Sequence, residues 1–241
     1  MGEPIGRVHM LFRHPVKSMA GVSLESASLG WHGLEGDRRL AFRRVTEKGG
    51  VPWLTASRFP RLVLYRPLGN ADEDPTLPTH VRTPAGRDLP LSGHELREEI
   101  TAGFGAEVEL MRLRQGMFDE APVSIVSVAT LEAVGREAGR PMDARRFRPN
   151  IVLDGEPRVA FAEDAWVGRV LRLGSGRDAP AVAVTLRDER CVMVNLDPDT
   201  ADADPNVMKA AVRLNGNNAG VYAVVVRTGT VATGATVYLE S

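Results

Sequence analysis

The stretch VYAVVVRTGTVATGATVYL, residues 221–239, contains short β-branched runs separated by glycines. Val221–Val226 is one run, and Thr230–Leu239 is a pair of runs with a glycine between them. Such runs predict strands joined by tight turns. Similar runs come earlier in the second half of the chain, at Val123–Ser127, Ile151–Leu153, Val167–Leu173, Ala181–Leu186 and Cys191–Leu196. Without βαβ alternation, this spacing predicts a closed or nearly closed β-barrel.

The first half of the chain mixes strands with helix signals. Its strand-like runs are Arg7–Phe12, Leu24–Leu29, Arg39–Arg44 and Leu62–Tyr65, with a hairpin connection at 82–87 and an acidic loop at 70–78. Ser92 and Glu95 have the spacing of a capping box, which predicts a helix that runs to about Gly103.

Two further helices are predicted in the second half. One covers Thr130–Ala138 and ends at a glycine, and the other begins after Asp204 with a proline in its first turn. The apolar pattern breaks within residues 115–122. We therefore predict a mixed, β-rich α+β fold, with a smaller α/β module over 1–117 and a barrel domain over 118–241.

The composition excludes several classes of protein. The chain has 241 residues, a formal net charge of −1 and a single cysteine. No global charge favours nucleic acid or an anionic membrane, and no intrachain disulfide can form. No apolar run approaches the about 20 residues that span a bilayer, and the N-terminal residues lack a signal-peptide core. We predict a cytoplasmic protein without nucleic-acid or membrane partners.

The single thiol lies in ERCVMVNLDPDT, residues 189–200. A buried cysteine usually has apolar neighbours, whereas Cys191 directly follows an arginine that favours the metal-binding thiolate. The turn after it contains Asp197 and Asp199, whose carboxylates are expected to bond their own backbone. An inert strand cysteine remains the alternative.

Three basic motifs could bind an anion. HPVKS at 14–18 puts Lys17 beside Ser18, and GLEGDRR at 33–39 puts two arginines after an aspartate. In RRFRPN at 145–150, a strand start would place Arg146 and Arg148 on one face, with the residue before the proline extended. Each motif is also compatible with a solvated surface turn.

Other site types have no local support. The five histidines, all in the first half, show no zinc-type pairing: His9, His14, His32, His80 and His94. The chain has neither a Walker-type loop nor a dinucleotide-binding glycine fingerprint.

Taken together, the motifs resemble one family in their order and spacing. They are HPVKS (14–18), GLEGDR (33–38), TASRFPRLVL (55–64), RFRPNIVL (146–153), AEDAW (162–166), RCVMVNLDPDT (190–200) and GTVATGATVYL (229–239). The chain resembles MOSC-domain proteins with an N-terminal MOSC β-barrel module, a group that includes the mitochondrial amidoxime-reducing component and bacterial N-hydroxylated-base reductases. The resemblance runs from about Arg7 to Leu239.

The resemblance implies a molybdenum–molybdopterin cofactor with Cys191 as the metal ligand. By the same resemblance, the other cofactor-binding residues are Lys17, Ser18, Arg38, Arg148, Asn150, Arg190 and Tyr222. It also carries a family-level association with pyridoxal phosphate. Asp197, Asp199 and Tyr222 are the candidates for a catalytic proton donor. The chain departs from the family pattern in two places: Glu120 and Ala121 stand where hydroxyl residues are usual, and Glu189 stands where serine is common.

Three functions follow as hypotheses. The first is an oxidoreductase that reduces amidoximes, hydroxylamines or N-hydroxylated bases, with electrons from a separate ferredoxin-type or flavin reductase. The second is a carrier of molybdenum cofactor or sulfur without turnover. The third is a binding protein for another anionic metabolite, in which Cys191 is structural.

Overall fold

The computed structural model describes residues 2–47, 49 and 51–240. Its strands are β1 (Glu3–Arg13), β2 (Val22–Leu24), β3 (Ser26–Gly30), β4 (Gly33–Leu34), β5 (Leu40–Arg44), β6 (Arg66–Leu68), β7 (His80–Arg82), β8 (Asp88–Pro90), β9 (Val108–Arg112), β10 (Val123–Ser127), β11 (Ile151–Gly155), β12 (Val170–Leu173), β13 (Ala181–Glu189), β14 (Asn218–Arg227), β15 (Gly229–Ala232) and β16 (Thr236–Glu240). The α-helices are α1 (His94–Phe104), α2 (Val128–Ala138) and α3 (Pro205–Asn215). Short 3₁₀ helices cover Pro60–Leu64, Ala144–Phe147, Ala162–Trp166 and Val192–Asn195.

Seven strands close a barrel in the order β11-β10-β14-β13-β12-β16-β1, and β1 pairs back onto β11. The pairings are antiparallel except for β10 with β11, which α2 connects as a single parallel crossover. Gly6 lies where β1 leaves β16 for β11, and a Cβ there would lie 2.2 Å from the Asp154 carbonyl oxygen. A glycine is therefore required at this close approach. The predicted β-barrel is confirmed.

The barrel interior is an apolar core that both halves of the chain supply. Its buried residues are Val8, Leu11, Leu29, Leu34, Val123, Ile125, Ile151, Leu153, Trp166, Leu171, Leu173, Val182, Val184, Val221, Ala223, Val225, Val231 and Val237. Leu29, Leu34 and Val231 come from the small sheet β15-β3-β4. A further core packs α2 and α3 against the outside of the barrel, around Val134 and Val207.

A separate core lies in the first half. It packs β5 with β9, the sheet β6-β7-β8 and α1, and its largest buried side chains include Leu54, Leu62, Leu96 and Ile100. The boundary at residue 117 stays a prediction. The structure adds that β1 and the β3–β4 hairpin pair with strands of the second half.

The three helices and the hairpin at 82–87 are confirmed, but several local predictions are wrong. Residues 62–65 are not a strand, because Pro60 begins a 3₁₀ turn there. Residues 191–196 form a 3₁₀ turn rather than a strand, and it sends Met193 and Val194 to two different cores. The cap of α1 is Gly93, without a side-chain bond, so Ser92 makes no capping box.

Candidate functional site

A cleft of about 900 Å³ lies between the barrel and the first-half core. From the first half it is lined by Lys17, Ser18, Arg38, Val51, Thr55, Ser57, Asp119 and Glu120. From the second half it is lined by Ser124, Arg146, Phe147, Arg148, Leu186, Arg187, Asp188, Glu189, Arg190, Cys191, Met193, Val194, Asn218 and Tyr222. Most of the predicted site residues therefore meet in one cavity.

Cys191 is exposed and lines this cleft. It lies two residues after the end of β13 and caps the 3₁₀ turn at Val192–Asn195. This position at the end of a barrel strand leaves its thiol available to a ligand in the cleft. The alternative of an inert, packed cysteine does not fit the exposure.

Lys17 and Ser18 form one end of the cleft. The ammonium of Lys17 donates to Asp119 Oδ1 over 2.8 Å and to the Met117 carbonyl over 3.2 Å, although the lysine is only 8% exposed. Ser18 has a φ of 66°, in the left-handed region that L-residues seldom adopt. The buried residues Val16 and Met19 flank this pair and hold it in place.

Arg38 lies beside Lys17 and Ser18 in the cleft lining, and Asp37 orients it. The fully buried Asp37 carboxylate pairs with the Arg38 guanidinium and accepts the His14 backbone N–H over 2.6 Å. Arg38 Nη2 also donates to the Arg148 carbonyl over 3.0 Å. A buried carboxylate thus fixes a cation that faces the cleft.

Arg148 differs from its predicted geometry. It has a φ of 51° and caps the 3₁₀ turn at Ala144–Phe147, so the residue before Pro149 is left-handed rather than extended. Its Nη1 donates to the Met19 carbonyl over 2.6 Å, while its buried Nη2 has no partner among the described residues. Burial, together with the like charge of Arg38, lowers the pKa of Arg148 to about 10. A cation with an unused donor is suited to an anionic ligand.

Arg146 does not act with Arg148 as a shared strand face would require. Because the segment is a 3₁₀ turn, Arg146 donates to the Asn195 carbonyl over 2.7 Å and pairs with Asp197 over 2.6 Å. Both of these contacts lie on the segment after Cys191. Arg146 therefore anchors that segment to the turn before Arg148.

Arg190 and Asp188 form the barrel side of the cleft. The guanidinium of Arg190 donates to the Phe147 carbonyl over 2.9 Å and lies 2.8 Å from Asp188 Oδ2. Asp188 also accepts the Ser124 hydroxyl over 2.9 Å. Burial raises the pKa of Asp188 to about 6, against the lowering effects of Arg190 and Ser124. Burial and the Asp188 charge likewise raise the pKa of Tyr222.

Three predicted site residues lie outside the cleft lining. Asn150 is fully buried, and its side chain accepts the Ser124 N–H and donates to the Phe12 carbonyl beneath the cleft. Asp197 is paired with Arg146, and Asp199 is paired with Arg145 and Arg66 on the surface. Hydrogen bonds from Arg145 lower the pKa of Asp199. These ion pairs leave neither aspartate facing the cleft as a proton donor.

Left-handed backbone is concentrated at this site. The non-glycine residues with positive φ in the described chain are Ser18, Arg38, Arg148, Phe161, Ala201 and Asn217. The first three line the cleft. Strained conformations of this kind persist where the surroundings hold them, and they cluster at functional sites.

Sequence reasoning missed Asp37, Asp188 and Ser124 as members of the site. The sequence GLEGDRR shows Asp37 next to Arg38, but it does not indicate that Asp37 is fully buried. Asp188 lies three residues before the cysteine, and its burial is not a property that the local sequence indicates. Ser124 gave no signal, because it belongs to a run that predicts an ordinary strand.

The donor set in the cleft suits an anionic, sulfur-binding group. Six cations line it together with an exposed thiol, namely Lys17, Arg38, Arg146, Arg148, Arg187 and Arg190. Among residues 2–47, 49 and 51–240, no three His, Cys, Asp or Glu side chains gather into a metal site. A metal here would take one protein thiolate and its remaining ligands from a bound cofactor.

Comparison with known proteins identifies the family. Residues 104–238 match the MOSC domain, and residues 5–111 match the MOSC N-terminal beta barrel domain. The chain is 27% identical over 247 residues to the mitochondrial amidoxime-reducing component 1 of Mus musculus, covering 84% of this chain and 69% of that protein. It is 25% identical over 243 residues to the mitochondrial amidoxime reducing component 2 of Bos taurus, covering 84% and 70%.

A solved structure has the same fold. The YUAD protein from Bacillus subtilis superposes with a TM-score of 0.52 at 15% identity, covering 98% of this chain and 96% of that one. Within the described residues, no helix is both long enough and apolar enough to cross a membrane. The two domain matches together span nearly the whole sequence, and the chain belongs to the MOSC-domain family with an N-terminal MOSC beta barrel domain.

Proposed function

We propose that this protein is a molybdenum-cofactor-dependent oxidoreductase that reduces N-hydroxylated compounds, with electrons from a separate electron-transfer protein. One observation carries the proposal: the exposed thiol of Cys191 and the cations Lys17, Arg38, Arg148 and Arg190 line a single cleft. The names of the amidoxime-reducing relatives give the reaction class.

The residues of the cleft fit molybdopterin. Its phosphate calls for cationic donors, and Arg148 has a buried Nη2 without a partner among the described residues. Ser18, Thr55 and Ser57 are hydroxyl residues that also line the cleft. The molybdenum calls for a soft ligand, which Cys191 supplies. When bound, the cofactor supplies two-electron redox chemistry at the metal.

The protein's own side chains would bind the cofactor and orient it in the cleft. Asp37 holds Arg38, and the Met19 carbonyl holds Arg148, so both cations are positioned before any ligand arrives. Arg146 fixes the segment after Cys191 through the Asn195 carbonyl and Asp197. Preorganised donors of this kind need no rearrangement when charge develops in the site.

Metal analysis and turnover test the proposal. Protein made in a host that synthesises molybdenum cofactor should contain about one molybdenum per chain, and Cys191→Ala should lose it. With a chemical electron donor, the loaded wild-type protein should reduce benzamidoxime to benzamidine. Glu73→Gln, in the exposed acidic loop, is the matched control and should keep both properties.

Each failure has a defined meaning. Molybdenum retained in Cys191→Ala would contradict the ligand assignment. Molybdenum binding without reduction of any N-hydroxylated compound would contradict the enzyme and favour a carrier of cofactor or sulfur. No molybdenum in the wild-type protein would contradict both.

A further inference from the structure

One carboxyl group in the cleft is held differently from the others. Asp188 lies near the end of β13 and is only 1% exposed, yet it lines the cleft. Its Oδ2 makes both polar contacts, with Ser124 Oγ at 2.9 Å and Arg190 Nη2 at 2.8 Å. Its Oδ1 makes no hydrogen bond within the described residues. One oxygen is thus anchored in the barrel wall while the other is left for the cleft.

The barrel register puts Asp188 in a defined setting. Ser124 of β10 pairs with Tyr222 of β14, and Tyr222 pairs with Leu186 of β13, two residues before Asp188. The charged and titratable groups around the carboxyl are Arg190, Arg38, Asp119 and Tyr222. The positive charges of Arg190 and Arg38 stabilise the ionised carboxylate, whereas burial destabilises it. The two protonation states of Asp188 therefore have similar free energies near neutral pH.

The other carboxyl groups of the cleft are less suited to hold a proton. Asp119 is bound to the ammonium of Lys17, which keeps it ionised. Glu120 and Glu189 are exposed, so neither is held within the wall of the cleft as Asp188 is. Among the cleft acids, Asp188 alone combines burial with access to the cavity.

We propose that Asp188 is the proton donor of the cleft, giving its proton to the oxygen that leaves when an N–O bond is broken. This inference rests on the proposed function. Reducing a hydroxylamine-type group breaks the N–O bond and consumes two electrons and two protons. The electrons come from the electron-transfer protein through the cofactor. Asp188 supplies the proton that completes the leaving water, and solvent supplies the proton on nitrogen.

Ser124 and Arg190 act as positioning residues for this step. The Asp188 carboxylate that remains after proton transfer keeps its contacts with the Ser124 hydroxyl and the Arg190 guanidinium. Both contacts stabilise the charged form, and cleft water then returns the proton. Because the hydrogen bond from Ser124 lowers the pKa of Asp188, its removal should raise that pKa.

The kinetic test uses cofactor-loaded protein, with turnover divided by bound molybdenum. Asp188→Asn should lower kcat for benzamidoxime by about 100-fold, the usual scale for losing a general acid. The wild-type kcat should fall as the pH rises through about 6, the pKa of the Asp188 carboxyl. The Asp188→Asn variant should not show this fall in kcat. In Ser124→Ala the fall should occur at a higher pH. Asp88→Asn, an exposed hairpin carboxylate paired with Arg82, is the matched control.

A second measurement needs no cofactor. In cofactor-free protein, the ¹³C signal of the Asp188 carboxyl should titrate near pH 6. The pKa of the Asp88 carboxyl should be lower than its ordinary value, because the hydrogen bond from Arg82 lowers it. Ser124→Ala should shift only the former upward.

The outcomes separate this inference from the proposed function. If the wild-type protein reduces benzamidoxime and Asp188→Asn matches its kcat and pH profile, the proton donor is wrong while the function stands. If Asp188→Asn loses molybdenum but keeps the turnover per molybdenum, its role is structural and the inference fails. If the wild-type protein reduces no N-hydroxylated compound, the proposed function fails, and the carboxyl titration still reports whether Asp188 holds a proton near neutral pH.

Discussion

The Arg148 guanidinium donates a 2.6 Å hydrogen bond to the main-chain oxygen of Met19, 129 residues earlier in the chain. Met19 belongs to the first-half core and Arg148 to the segment that enters β11. This contact and the hydrogen bond from Arg38 to the Arg148 carbonyl both join the two walls of the cleft. The cleft is therefore assembled by long-range contacts rather than by one local motif.

Replacing Arg148 tests whether its side chain, whose buried Nη2 has no partner among the described residues, binds the cofactor. Arg148→Ala should lower the molybdenum retained per chain by about 10- to 100-fold at limiting cofactor, because a charge-assisted hydrogen bond contributes about 1.5–3 kcal/mol. Metal analysis after gel filtration measures the effect. The exposed Arg158→Ala, which loses a pair with Asp154, should retain cofactor normally. Equal metal contents in both variants would contradict a binding role for Arg148.

Replacing Asn150 tests whether it supports the fold rather than the ligand. Asn150→Ala leaves the buried Ser124 N–H and Phe12 carbonyl without this side chain's hydrogen bonds. The free energy of unfolding of cofactor-free protein should fall by about 2–5 kcal/mol. Urea denaturation measures this, with the exposed Asn206→Ala as control. A stable Asn150→Ala protein that loses only cofactor would instead indicate direct binding.

The pH dependence of stability should depend on His14. Burial and the charges of Arg148 and Arg38 lower the pKa of His14 well below its usual value. Below about pH 6.5 the unfolded chain binds a proton that the folded chain does not. The contribution of His14 to the free energy of unfolding is therefore complete above about pH 6.5. It is lost as the pH falls, by up to about 1.4 kcal/mol per pH unit.

His14→Gln should flatten this dependence between pH 7 and 5, measured by urea denaturation at each pH. The exposed His94→Gln should behave like the wild-type protein. Asp188 contributes with the opposite sign, since its raised pKa favours folding at low pH. Only the difference between the His14 variant and the wild type isolates the histidine. Identical pH slopes would show that His14 is charged in the folded state.

The exposure of Cys191 predicts its reactivity. Cofactor-free native protein should react with one equivalent of a thiol reagent without denaturant, because its only cysteine is exposed. Protein loaded with cofactor should be protected, since the thiolate then holds the metal. Mass spectrometry counts the label. Equal labelling of both forms would argue against Cys191 as the ligand.

Different parts of the molecule were predictable to different degrees. The barrel follows from β-branched runs such as Val221–Val226, whose period and turn residues are local properties. The turns at 60–64 and 192–195 were misread as strands, because a short apolar run is compatible with either structure. Their packing into separate cores decides the outcome.

The candidate site shows the same division. The order of the motifs predicts Lys17, Arg38, Arg148 and Cys191 as site residues, and the structure places them along one cleft. Asp188 was not predicted as a site residue, because its importance depends on burial and on Ser124 of another strand. Local sequence does not encode a contact between residues 64 positions apart.

Because β1 closes the barrel, a fragment of the chain without β1 should have unpaired strand edges. A fragment beginning at residue 118 retains six of the seven barrel strands, and the facing edges of β11 and β16 would be open. Open edges recruit whatever strand is nearby, including those of neighbouring copies. Such a fragment should aggregate alone, and a synthetic peptide of residues 3–13 added in trans should suppress that aggregation. A strand near the amino terminus thus completes the barrel of the carboxy-terminal half.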